Sequence, residues 1–187
     1  TMIIQWDIET YKEIDDGRAP EPGDQDFTIF NMCTGFFWQH STKPLYTASV
    51  IINDADINED VNLTVVCDNE KQLLIANYTL WSRMMPDAMS AFNGAGFDWP
   101  IYREKLRRAN LIPEFINAMS LINDNKITSY LATKFSSKEA RLSEGIKVSQ
   151  NALKYSWSTE KIKIDAENDH SLNAVFNMPG IIDLDIL

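Results

Sequence analysis

The stretch Met2-Ile3-Ile4-Gln5-Trp6-Asp7-Ile8-Glu9-Thr10 decides how the rest of the chain is read. Its apolar residues and its alternation predict a β-strand, in which Ile4, Trp6 and Ile8 share one face and Asp7 and Glu9 the other. The two acids then stand about 6.5 Å apart, measured Cα to Cα. Like charges at that spacing repel, and burial penalises both, so the pair is costly unless a cation lies between them. A set of oxygen ligands, completed by one or two further acids, is what Mg²⁺ or Mn²⁺ prefers, above all where phosphate oxygens fill the remaining positions. On these residues alone a solvated edge strand satisfies the same pattern, because 27 of the 187 residues are acidic.

Composition narrows the classes. A chain of 187 residues, 44% apolar and 11% aromatic, can bury one sizeable core, so a single globular domain is predicted. No run of about 18 apolar residues and no charged and apolar leader occurs, which predicts a soluble, intracellular protein with no membrane partner. Cys33 and Cys67 lie in apolar, strand-like surroundings and read as two reduced core thiols. His40 and His170 have no Cys or His neighbour at ligand spacing, which argues against zinc and against a histidine-based triad. The net charge of −10 has the wrong sign for a protein that grips nucleic acid by electrostatics alone. Binding to DNA would need metal ions, stacking, local basic spots and a larger basic partner.

Working outward from Thr10, residues 11–26 are polar and turn-rich, with Pro20 and Pro22, and read as a surface loop. Residues 27–39 and 45–52 read as strands joined in an antiparallel hairpin by the Ser41-Thr-Lys-Pro44 turn. The acidic loop with Asp54, Asp56, Glu59 and Asp60 lacks calcium-loop spacing and reads as a solvated turn before a strand at 61–67. Residues 69–85 form the clearest helix: Leu74, Tyr78, Trp81 and Met85 share a face, Asn69 and Gln72 form a cap pair, and Pro86 ends it. A buried strand at 87–93, a glycine turn and a second helix from Pro100 to about Asn110 follow. Further on, a short helix within 111–123, a hairpin around 144–149 and 154–165, and a closing strand near 180–187 are predicted. The order β, β, β, β, α, β, α predicts an α/β fold, a mixed sheet with helices packed on it.

The second acidic motif is Phe92-Asn93-Gly94-Ala95-Gly96-Phe97-Asp98. Its glycines allow close backbone approach, and Asp98 stands at the foot of a helix. Together, Asp7-Ile8-Glu9-Thr10 and Phe92-Asn93-x-x-x-Phe97-Asp98, with Pro100 after it, resemble the first and second exonuclease motifs of the family B DNA polymerases. The lesser features Pro20-Glu21-Pro22, Asp26, Met85-Pro86-Asp87 and Gly180-Ile-Ile-Asp183-Leu-Asp185 agree, so the resemblance touches nearly the whole chain.

The resemblance implies a ribonuclease-H-like mixed sheet flanked by helices, with a β-hairpin insertion at about 126–169, and a proofreading 3′–5′ exonuclease of the DEDD class. It implies that residues 1–187 are a partial exonuclease domain, truncated before its last helices, since the family's third motif, a Tyr-x-x-x-Asp, has no counterpart here; Asp185 aligns with the cap of a following helix. Two Mg²⁺ or Mn²⁺ ions would be held by Asp7, bridging both, Glu9 on the water side and Asp98 on the other. Thr10, Asn93 and Phe97 would contact the single-stranded 3′ end of primer DNA, and the remaining polymerase domains would be the partners. For Phe97 a core ring beneath the turn is the alternative. The basic residues Arg103, Lys105, Arg107 and Arg108 touch phosphates or form the wet face of a helix, and Lys154, Lys161 and Lys163 are equally open. Two other functional classes fit the same motifs: a stand-alone DEDD nuclease acting on RNA or oligonucleotides, and a catalytically silent scaffold.

Overall fold

The alternation read from residues 2–10 sorts the first strand into two faces. Met2, Ile4, Trp6 and Ile8 are buried, while Gln5, Asp7 and Glu9 are exposed. The computed structural model describes residues 1–12, 17–24, 26–53, 60–94, 96–119, 156–163, 169–177 and 181–186. Eight strands and three helices occur among them: β1 (Met2–Lys12), β2 (Phe27–Trp38), β3 (Tyr46–Ile52), β4 (Leu63–Cys67), α1 (Glu70–Met84), β5 (Ala88–Phe92), α2 (Asp98–Arg108), α3 (Ile112–Met119), β6 (Ser156–Lys163), β7 (Asp169–Asn177) and β8 (Ile182–Ile186). Six strands form one mixed sheet in the order β4-β3-β2-β1-β5-β8, with β1 near its centre, and β6 pairs with β7 as a separate antiparallel ribbon.

β1 runs antiparallel to β2 along its whole length, but parallel to β5 over Ile3–Gln5 only. Beyond Gln5, therefore, the β5-facing edge of β1 has no strand partner among the described residues. The β1–β2 register shifts between Glu9, opposite Asn31, and Thr10, opposite Ile29. Phe30 is the extra residue of this bulge, and it re-aims the side chains so that Phe27 and Ile29 stay in the core while Phe30 turns out.

Aromatic side chains fasten the helices to the inner face. Trp6 meets Trp99 of α2 edge to face at 4.7 Å and Trp81 of α1 at 5.1 Å between ring centroids. Both arrangements suit the ring quadrupoles. Trp81 Nε1 donates to Thr34 Oγ1 at 3.1 Å, tying α1 to β2. Tyr102 is fully buried beside them, accepts from Asn77 Nδ2 at 3.5 Å, and has its phenol pushed up by burial.

The helix α1 begins at the predicted cap. Asn69 Oδ1 accepts the Gln72 N–H at 3.0 Å, and Gln72 Oε1 reaches back to the Asp68 N–H at 3.0 Å. Met85 closes it in the left-handed region with φ 48°, and Pro86 prevents continuation. In α2, Glu104 takes a two-pronged pair from Arg107 at 2.7 Å and a third bond from Arg108 at 2.8 Å. Arg107 above all holds the Glu104 carboxyl below its ordinary range, with Arg108 adding to the effect against burial. A depressed carboxyl contributes stability above its unfolded pKa and loses it as pH falls through the folded value. Glu104→Gln is accordingly expected to cost about 0.5 kcal/mol at pH 7 by denaturant titration, with the gap to wild type closing below about pH 4.

Several expectations are corrected. The helix α2 starts at Asp98, two residues before Pro100, which sits in the first turn where its missing N–H costs nothing. Cys33 is exposed on the outer face of β2 and only Cys67 is buried; both are free. The late hairpin joins 156–163 to 169–177, so it runs past residue 169; residues 144–149 lie outside the described residues, as do Asp54, Asp56, Glu59 and Lys154. Asp185 lies within β8, paired with Ala91. Lys105 is not on a wet helix face but buried. No described helix is long and apolar enough to cross a membrane.

Candidate active site

Asp7 and Glu9 rise from the outer face of β1, one on each side of the inward-pointing Ile8. Asp98, the first residue of α2, is 1% exposed, and its Oδ1 accepts the backbone N–H of Ile8 at 3.3 Å. This is the β1 edge that β5 leaves unpaired. By covalent geometry the oxygen lies within about 6 Å of the Asp7 Cα. The second acidic motif is therefore folded onto the first, its carboxylate at the peptide between the two strand acids.

Local chemistry explains how it gets there. Trp6 precedes Asp7 and Trp99 follows Asp98, and these two rings make the 4.7 Å contact beneath the sheet. Packing the inner-face neighbours brings the acids to one edge. The turn before α2 is closed by the Asn93 carbonyl, which accepts from Gly96 N and Phe97 N at 3.0 Å each, while Gly94 O accepts from Trp99 N at 2.8 Å. Asn93 is in the left-handed region, φ 51°, which Asn tolerates. A Cβ on Gly96 would meet Asn93 Oδ1 at 2.3 Å, so glycine there leaves the Asn93 amide its place at the tip. A carboxylate at the first position of α2 also sits in the favourable field of the helix N-terminus.

The other residues singled out from sequence fall as follows. Asn93 is exposed and Thr10 half-buried at the bulge. Phe97 is half-buried and packed against the core, while Phe92, five residues earlier, is the exposed ring of this turn at 71%. Sequence reasoning quoted Phe92 as a motif residue but gave it no role; its exposure follows from its place at the end of β5, where the buried run Ala88–Ala91 stops. An open cleft of about 510 Å³ lies over the same outer face, lined by Asp7, Gln5, Cys33, Gly35, Phe37 and Phe92, among others. A Cβ on Gly35 would come within 2.7 Å of the Phe37 ring, which lies across that position. The basic run is largely spoken for: Arg107 and Arg108 bind Glu104, and Arg108 also donates to the Asp24 and Pro22 carbonyls at 2.6 and 2.9 Å.

As a donor set, three carboxylates suit a hard divalent cation. Among the described residues, no three Asp, Glu, His or Cys side chains stand close enough together to form a ligand cluster, so Asp7, Glu9 and Asp98 are neighbours rather than an assembled shell.

Residues 1–175 match the model of the DNA polymerase family B exonuclease domain. The chain belongs to that family. The six-stranded mixed sheet flanked by helices agrees with the ribonuclease-H-like class expected of such a domain. Three curated relatives are proteins of African swine fever virus named DNA polymerase beta. The one from isolate Pig/Kenya/KEN-50/1950 is 29% identical over 187 residues, that from Pig/Portugal/Lis 60/1960 29% over 187, and that from Tick/Malawi/Lil 20-1/1983 27% over 186. All of this chain is covered in each alignment, yet it spans only 13–14% of the relatives' length.

Proposed function

We propose that this family B exonuclease domain removes nucleotides from the single-stranded 3′ end of DNA, proofreading for the polymerase domains of the same protein, with two Mg²⁺ or Mn²⁺ ions. The observation that carries the reading is the Asp98 carboxylate 3.3 Å from the backbone amide of Ile8, the residue that stands between Asp7 and Glu9 in the sequence. Those three acids would hold the ions, which supply a polarised phosphorus and a water made nucleophilic at neutral pH. The chain's own residues do the rest. Asp98 is buried and tied to the strand backbone, so its carboxylate does not wander when substrate arrives. Asp7 and Glu9, exposed on the sheet face, are open to an approaching phosphodiester. Thr10 and the Asn93 amide supply polar contacts to the strand, and Phe97 stacks on or wedges at a terminal base, a contact worth about 1–3 kcal/mol.

A frayed, mismatched end needs no unpairing, which favours it as substrate. With a net charge of −10 the domain grips DNA weakly alone, so the remaining polymerase domains supply the basic surface. The test is the intact protein on 5′-labelled DNA with Mg²⁺. A ladder shortening from the 3′ end is expected, faster on single strands and mismatched ends than on paired ends, and stopped by a chelator. Shortening from the 5′ end, or hydrolysis indifferent to the chelator, would refute the reading.

A further inference from the structure

Lysine is almost never buried without a partner. Lys105, in α2, is 5% exposed, and its ammonium is held on three sides. It pairs with Glu70 Oε1 at 3.0 Å, donates to the Phe27 carbonyl and lies 4.0 Å over the centre of the Phe27 ring. The same Glu70 oxygen accepts the Ile29 N–H at 2.7 Å. One ion pair thus joins the first residue of α1, the start of β2 and the second half of α2.

The position of this knot relates it to the acids. Ile29 stands opposite Thr10, immediately past the bulge that follows Glu9. Lys105 follows Asp98 by seven residues, two turns of helix and about 10 Å along the axis, on the same face. A buried ion pair is a poor source of stability, since an apolar pair of like volume often serves as well. What it adds is direction: hydrogen bonds to a fixed carbonyl and carboxylate set the axial position of a helix, whereas apolar contacts tolerate sliding.

We infer that Lys105, clamped by Glu70 and Phe27, is a positioning residue that sets how far α2 carries Asp98 toward the Ile8 amide at the β1 edge. The inference rests on the role proposed above for Asp98. Lys105 touches neither substrate nor reacting atoms. It acts through the helix, and through Glu70 it holds the strand segment facing Thr10 at the same time.

The test uses the intact protein and the variants Lys105→Met and Glu70→Gln, with Arg107→Ala as a control, because Arg107 is exposed and, among the described residues, pairs along its own helix with Glu104. The first readout is hydrogen exchange at the Ile8 amide, whose acceptor is Asp98. Exchange about tenfold faster in Lys105→Met, intermediate in Glu70→Gln and unchanged in Arg107→Ala is expected. The second is the Mg²⁺ concentration giving half-maximal nuclease rate, expected to rise about tenfold in Lys105→Met with KM for the DNA little changed. A merely destabilised protein would instead lose protection across all elements. Ile8 exchange as in wild type in both variants overturns the inference. Wild-type protein devoid of nuclease activity would count against the functional reading alone, because the exchange measurement judges the positioning without it.

Discussion

Asp98→Asn is expected to lower the nuclease rate by about 10³-fold while leaving the fold intact, equivalent to roughly 4 kcal/mol of lost transition-state stabilisation. Asparagine is isosteric, and its side-chain oxygen can still accept the Ile8 N–H, so the edge of β1 remains capped. What disappears is the negative charge that a divalent cation needs. Asp98→Ala is expected to lose the same activity and, in addition, to leave the Ile8 N–H without its acceptor in a buried place, costing about 1–3 kcal/mol in denaturant titration. Comparing the two separates the ligand role of Asp98 from its part in the fold. Single-turnover rates on single-stranded DNA, beside unfolding curves for each variant, make the comparison. An Asp98→Asn protein that cuts within a few-fold of wild type would remove Asp98 from the reaction.

The largest expected loss of stability is at Trp81. Its side chain is fully buried, packs edge to face on Trp6, tilts against Tyr102 at 5.6 Å and donates to Thr34 Oγ1. Trp81→Ala removes the largest ring from the centre of the inner layer and leaves a cavity that its neighbours fill only in part. A cost of about 4 kcal/mol is expected. Against a typical total of 5–15 kcal/mol this is a large fraction, and for a domain of this size it amounts to a fall in Tm of about 10 °C. Thr34→Val isolates the hydrogen bond: it keeps the packing, strands the indole N–H, and is expected to cost about 1–2 kcal/mol. Thermal unfolding of the two variants checks the order. A Trp81→Ala protein as stable as Thr34→Val would mean that the layer closes over the gap.

Much of this molecule was legible because its signals are local. Alternation in residues 2–10 separated Ile4, Trp6 and Ile8 from Asp7 and Glu9, since strand geometry leaves neighbouring side chains no choice but opposite faces. The cap at Asn69, the stop at Pro86 and the Asn93 turn each depend on a few adjacent residues, and each lies where the sequence puts it. Asp98 was legible as a motif residue, but its burial against Ile8 was not, because nothing within either motif states how far apart in space the two lie.

The unreadable part is what depends on partners distant in the chain. Cys33 and Cys67 have similar apolar neighbours in sequence, yet one is exposed and the other buried, because only the sheet order decides which strand faces are covered. Lys105 looked like one more cation in a basic run until α1 and β2 supplied a carboxylate, a carbonyl and a ring around it. The same holds for the parallel pairing of β3 with β4 and for the partner of β6: hydrophobic alternation marks a strand but carries no direction and no register. The sequence by itself therefore determined the elements, their inner faces and the acids they carry. Tertiary structure alone decided that Asp98 meets the edge of β1, since that contact follows from the packing of Trp6 on Trp99 and from β5 ending short of Ile8.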